Sequence, residues 1–83
     1  MGLRRREPRA RKPGVQRAAD RAARISTHEL TDWAEASVGQ LAYLVASYRG
    51  ARDPNALPEA LIVLESVQGI LEELQSRQLT PVS

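Results

Sequence analysis

Apolar and small residues recur every three or four positions along most of this chain, the spacing of a helix face at 3.6 residues per turn. The clearest start signal is at Ser26. Ser26 and Glu29 have the spacing of a capping box, in which each side chain bonds a backbone N–H that the first helical turn leaves unpaired. Ile25 and Leu30 flank them at the positions of a hydrophobic staple. A helix is therefore predicted from Thr27 to Arg49, with Gly50 taking the left-handed conformation that closes it. Its expected buried stripe is Leu30, Trp33, Ala34, Ser37, Val38, Leu41, Leu44, Val45 and Tyr48.

Residues 50–57 hold Gly50, Asp53-Pro54 and Asn55, and Pro58 suits a first helical turn, where its missing N–H costs nothing. A second long helix is predicted over 58–77. Ala60, Leu64, Val67, Leu71 and Leu74 form a heptad-like row on it, flanked by Leu61, Val63 and Ile70. Gly69 falls on the far side of that row and costs about 1 kcal/mol against alanine. Upstream, Val15, Ala18, Ala19, Ala22 and Ile25 mark one side of a short helix over 15–25, with Arg17, Arg21 and Arg24 beside them and Asp20 placed to pair with Arg24. The two stripes share a register, so one continuous helix over 15–49 competes with a break at Ser26.

The expected fold is thus all-α: an antiparallel helical hairpin of 27–49 and 58–77, preceded by the short basic helix. The chain divides into a disordered basic arm (1–14), the basic helix (15–25), a hairpin domain (26–78) and a frayed tail (79–83). Residues 1–14 offer only Met1, Leu3 and Ala10 for burial, too little to offset the entropy of ordering them. An isolated hairpin covers one face of each helix, and an 83-residue chain without cysteine has no disulfide to help it. Two completions follow. The first is a homodimer forming a four-helix bundle, favoured by the wide apolar face of the second long helix and by off-stripe Tyr43 and Ile62. The other is a small three-helix bundle.

Charge alters this picture more than composition does. Residues 1–24 carry nine basic and two acidic side chains, a net +7, and the remainder carries three basic and eight acidic, a net −5. A basic arm on an acidic body points to a polyanionic partner, or to docking of the arm on its own body. Nine residues are candidate nucleic-acid ligands: Arg4, Arg5, Arg6, Arg9, Arg11, Lys12, Arg17, Arg21 and Arg24. They would neutralise phosphates by counterion release, and guanidinium groups fork onto phosphate oxygens. Nothing in the pattern is a base-reading motif, so the expected function is binding of nucleic-acid backbone, DNA or RNA, without sequence preference. The alternative is an adaptor whose hairpin docks on a larger assembly through exposed Tyr43 and Ile62.

Catalysis is not expected. The single histidine, His28, shares a helix face with Asp32, which makes two potential metal ligands without a third. Glu65 and Glu72 lie two turns apart with no Glu-x-x-His motif, and there is no phosphate-binding glycine loop. No cofactor or metal is implied. Trp33 lies on the core stripe and is read as packed rather than as a base-stacking platform. No stretch reaches the roughly 18 apolar residues of a membrane span. Without cysteines or an apolar leader, a cytoplasmic location is expected.

Overall fold

The computed structural model describes residues 12–79 of the chain. They form three α-helices, 87% of these residues being helical, and no strand occurs among them. The helices are α1 (Pro13–Ala22), α2 (Thr27–Ala51) and α3 (Ala56–Leu79).

The break at Ser26 is present, and its cause is local. Ser26 Oγ accepts from Glu29 N at 3.1 Å, and Glu29 Oε1 accepts from Ser26 N at 3.4 Å. Ser26 is extended (φ −69°, ψ 160°), so the chain cannot run through it as helix. Both expected boundaries of α1 move, as do those of α3, which spans Ala56–Leu79 rather than 58–77. α1 begins at Pro13 rather than Val15, because proline fits the first helical turn, and it ends three residues earlier, at Ala22. Pro13 and Gly14 therefore belong to a helix and not to the arm. Asp20 does not pair with Arg24; it accepts a hydrogen bond from Gln16 Nε2 at 2.8 Å.

At its other end α2 runs past Gly50 to Ala51, and the left-handed residue is Arg52 (φ 55°, ψ 38°), whose N–H donates to Tyr48 O at 2.9 Å. The residue before a proline is pushed toward extended backbone, so the reversal is completed just ahead of Asp53-Pro54. Asp53 then organises the turn, its Oδ1 accepting from Asn55 N at 3.0 Å and its carbonyl from Ala56 N at 3.1 Å. Gly50 has open space where a Cβ would stand and no positive φ. Gly50→Ala should therefore stabilise the protein by about 0.5–1 kcal/mol through helix propensity. A urea denaturation midpoint that falls on this substitution would restore Gly50 as the cap.

α3 is the helix that both others pack against. It runs back along α2: Leu44, Leu41 and Tyr48 meet Ala56, Ala60, Val63 and Val67 near the connecting turn, while Leu30, Trp33 and Ala34 meet Ile70 and Leu74 at the far end. The buried row of α2 is Leu30, Ser37 and Leu44, and that of α3 is Ala56, Ala60, Val63, Val67 and Ile70. Val38, Val45, Leu64 and Leu71, expected inside, are exposed instead. Each stands one residue beyond a buried one, so the contact line passes about 100° away from it.

α1 packs on α3 across Gly69. A Cβ there would lie 2.7 Å from Ala18 Cβ, 2.7 Å from the Val15 carbonyl oxygen and 2.9 Å from Ala19 N. The far side of α3 is thus a second helix contact, and the glycine permits backbone-to-backbone approach. Val15, Ala18, Ala19 and Ala22 are all buried by it. Arg77 ties the far end together. Its guanidinium donates to Ala22 O (2.9 Å), Ile25 O (2.7 Å) and Thr27 Oγ1 (2.9 Å), and its Nε donates to Glu73 Oε2 (3.0 Å).

Candidate nucleic-acid interface

α1 carries basic residues on the side its packing leaves free. With Val15, Ala18, Ala19 and Ala22 turned into α3, Arg17 and Arg21 are exposed on the free side of α1, and Arg24, also exposed, continues the row in the turn that follows the helix. Lys12, the N-cap residue, is also exposed, and its side chain makes no capping bond. The other candidates, Arg4, Arg5, Arg6, Arg9 and Arg11, lie outside the described residues.

Arg21 is the most constrained of the stripe. Its guanidinium carbon sits 4.2 Å from the centroid of the Trp33 ring, a cation–π distance. Trp33 is half-buried, with its apolar contacts in the cluster of Ala22, Leu30 and Ile70. Its ring is both packed on that cluster, as expected, and covered by a cation. Arginine on an indole was not legible from spacing, since twelve residues and a helix break separate the pair.

An open cleft of about 290 Å³ runs beside the stripe. Arg17 and Arg21 line one wall, Trp33 and Ile62 are apolar surfaces within it, and Glu65 and Ser66 come from α3. A methyl group added at Gly14 would overlap the Glu65 carboxyl, so this carboxylate lies against the first turn of α1, where unpaired N–H groups favour negative charge. A second open cleft is lined by Arg21, Ile25, Glu29, Asp32 and Trp33. Carboxylates border the stripe, yet the ion pairs among the described residues, His28–Asp32 and Arg77–Glu73, include none of Arg17, Arg21 and Arg24.

Tyr43 and Ile62, the candidate partner residues, are 70% and 64% exposed. Each immediately precedes a buried contact residue (Leu44, Val63), which turns both toward the side of the α2–α3 pair that α1 occupies. Ile62 reaches the Arg17–Trp33 cleft, whereas Tyr43 does not line it. His28 Nε2 and Asp32 Oδ2 stand 3.6 Å apart on the surface, and no three potential metal ligands come together among the described residues. No described helix is long and apolar enough to cross a membrane. Compared with protein-family models, curated proteins and solved structures, the chain gave no match, so its site is interpreted from its own residues.

Proposed function

We propose that the protein is a small helical binding module, not an enzyme, that grips the phosphate backbone of nucleic acid without strong sequence preference. The observation that carries this reading is the exposed row of Arg17 and Arg21 on the docked helix α1 and Arg24 in the turn after it, none of them in an ion pair among the described residues. Guanidinium groups on a docked helix lose little further freedom when they bind, so more of each contact appears as affinity. Five further arginines, Arg4, Arg5, Arg6, Arg9 and Arg11, together with Lys12, extend the same charge along the sequence. The net −5 of residues 25–83 supports a division of roles, because a polyanion would be repelled by the body and held on the basic segment.

The test is fluorescence anisotropy of random-sequence DNA and RNA titrated with the full chain over a range of salt. Replacing Arg17, Arg21 and Arg24 together by Gln is expected to weaken binding to both and to reduce the log–log salt slope by about two to three. Circular dichroism serves as the control for folding. Affinity and slope that are unchanged in a folded triple variant would remove the stripe from the interface. If charge reversal at Arg4, Arg5 and Arg6 also has no effect, the nucleic-acid reading falls with it.

A further inference from the structure

Six large apolar side chains follow one rule of position. Val38 and Val45 on α2, and Leu57, Leu61, Leu64 and Leu71 on α3, are exposed, and each stands immediately after a buried residue. Successive residues of a helix turn by about 100°, and two antiparallel helices turn in mirrored senses about their contact line. Residues one step beyond the contact therefore emerge on the same side of the α2–α3 pair. Residues one step before it emerge on the opposite side, and Gly69, Ser66 and Ile62 do so where α1 packs. One broad side of the pair is thus covered in part by α1, and the other is an apolar sheet of side chains without a covering element among the described residues.

We propose that this second side is a homodimer interface, on which a second copy of the chain packs antiparallel about a two-fold axis to complete a four-helix bundle. Three observations select a second copy. The α3 row on this face reads Leu57, Leu61, Leu64, Gln68, Leu71 and Gln75, without a charge, so apposing it to itself brings no like charges together. Along the outer edge of the α2 face, seven residues apart, stand Glu35, Ala42 and Arg49, all exposed. Read in a copy running the other way this row is Arg, Ala, Glu, so Glu35 of each copy meets Arg49 of the other, two pairs per dimer, with small Ala42 at the crossing point. The acidic groups nearest the α3 edge are otherwise engaged, Glu65 against Gly14 and Glu72 accepting from Gln68 Nε2 at 3.0 Å.

Size agrees as well. A face two helices wide, about 20 Å, and about 28 Å long, the span of α2 residues 33–51 that overlap about Ala42, offers about 560 Å² per copy, so the two copies together clear the about 1,000 Å² of a biological interface. The sequence outside the described residues is poor in apolar side chains. Residues 1–11 hold Met1, Leu3 and Ala10 as their only apolar side chains, and residues 80–83 are four positions long.

Sedimentation equilibrium of the full chain, from low micromolar to a few hundred micromolar, tests this. The expected species is twice the 9.2 kDa chain mass. Leu64→Lys should weaken association more than about a hundredfold while leaving helicity intact, because Leu64 is exposed within the protomer. Glu35→Arg and Arg49→Glu should each weaken it about fivefold, and the double exchange should restore it. A protein that stays monomeric throughout the range overturns the proposal and leaves the face to another protein or a lipid surface. A dimer insensitive to Leu64→Lys overturns the face, and a double exchange without restoration overturns the antiparallel register. Nucleic-acid binding is not read in this experiment, so the two proposals stand or fall separately.

Discussion

Gly69→Val is expected to undock α1 from α3. The contacts that an added Cβ would make are with the Val15 carbonyl and the Ala19 nitrogen as well as with Ala18 Cβ, all within 2.9 Å. Two of these are backbone atoms, which no side-chain rotation can move aside, so the helices must separate. Even Gly69→Ala should lose about 1–3 kcal/mol to overpacking, although alanine is the better helix former by about 1 kcal/mol. The sign of that change is the discriminating result. Gly39, also within a long helix, has open space at its Cβ position and supplies the control, since Gly39→Ala should stabilise.

Trp33, the only tryptophan, makes the event visible. It lies under Arg21 and packs with Ala22, so undocking should shift its emission to the red, while circular dichroism loses about one ten-residue helix, which is too short to persist alone. A raised melting temperature for Gly69→Ala would show that α1 is not seated on α3 through this glycine.

The second large effect is expected at Arg77. Its guanidinium donates to the carbonyls of Ala22 and Ile25, at the C-terminal end of α1 and in the following turn, and the Ala22 carbonyl also accepts from Ile25 N at 3.3 Å. Hydrogen bonds from a charged donor contribute about 1.5–3 kcal/mol. Loss of the charged donor from the Ile25 carbonyl and from Thr27 Oγ1 adds to this, so Arg77→Ala should cost about 2–3 kcal/mol. Arg77→Lys should recover less than half of that, because one ammonium cannot reach Thr27, Glu73 and both carbonyls from one position. Urea unfolding of the two variants measures this, and a loss below about 0.5 kcal/mol for Arg77→Ala would place the clamp among ordinary surface bonds.

The two substitutions share a consequence. Once Gly69→Val has released α1, the Ala22 carbonyl leaves Arg77, so the double variant should lose less than the sum of the singles. Additive losses would mean that Arg77 acts through Ile25 and Thr27, next to and within α2, and not through the Ala22 carbonyl.

What the amino-acid sequence determined by itself is what neighbours within a turn or two decide. The start of α2 at Thr27 follows from Ser26 and Glu29, which close a capping box whatever surrounds them. Three helices, the place of Pro58 in a first turn, and the row of Arg17, Arg21 and Arg24 along the sequence are local or compositional in the same sense. The burial of Leu30, Ser37 and Leu44 was legible because they repeat every seven residues, so any partner laid along α2 meets all three.

Tertiary structure decided where the pattern permitted more than one answer. α3 is apolar around more than half its circumference, and periodicity cannot say whether Val63 and Ile70 or Leu64 and Leu71 face inward. The placement of α2 buried the first pair and exposed the second. Gly69 looked like a weakness in a helix, since the reason for it is the backbone of α1 some fifty residues earlier in the chain. The left-handed residue fell on Arg52 and not on Gly50 because the turn into α3 dictates where α2 must stop. Arg21 on Trp33 and Arg77 on Ala22 and Ile25 likewise join separate elements. Local chemistry chooses the conformation of a few residues, whereas the face a helix buries is a property of the pair of surfaces that meet.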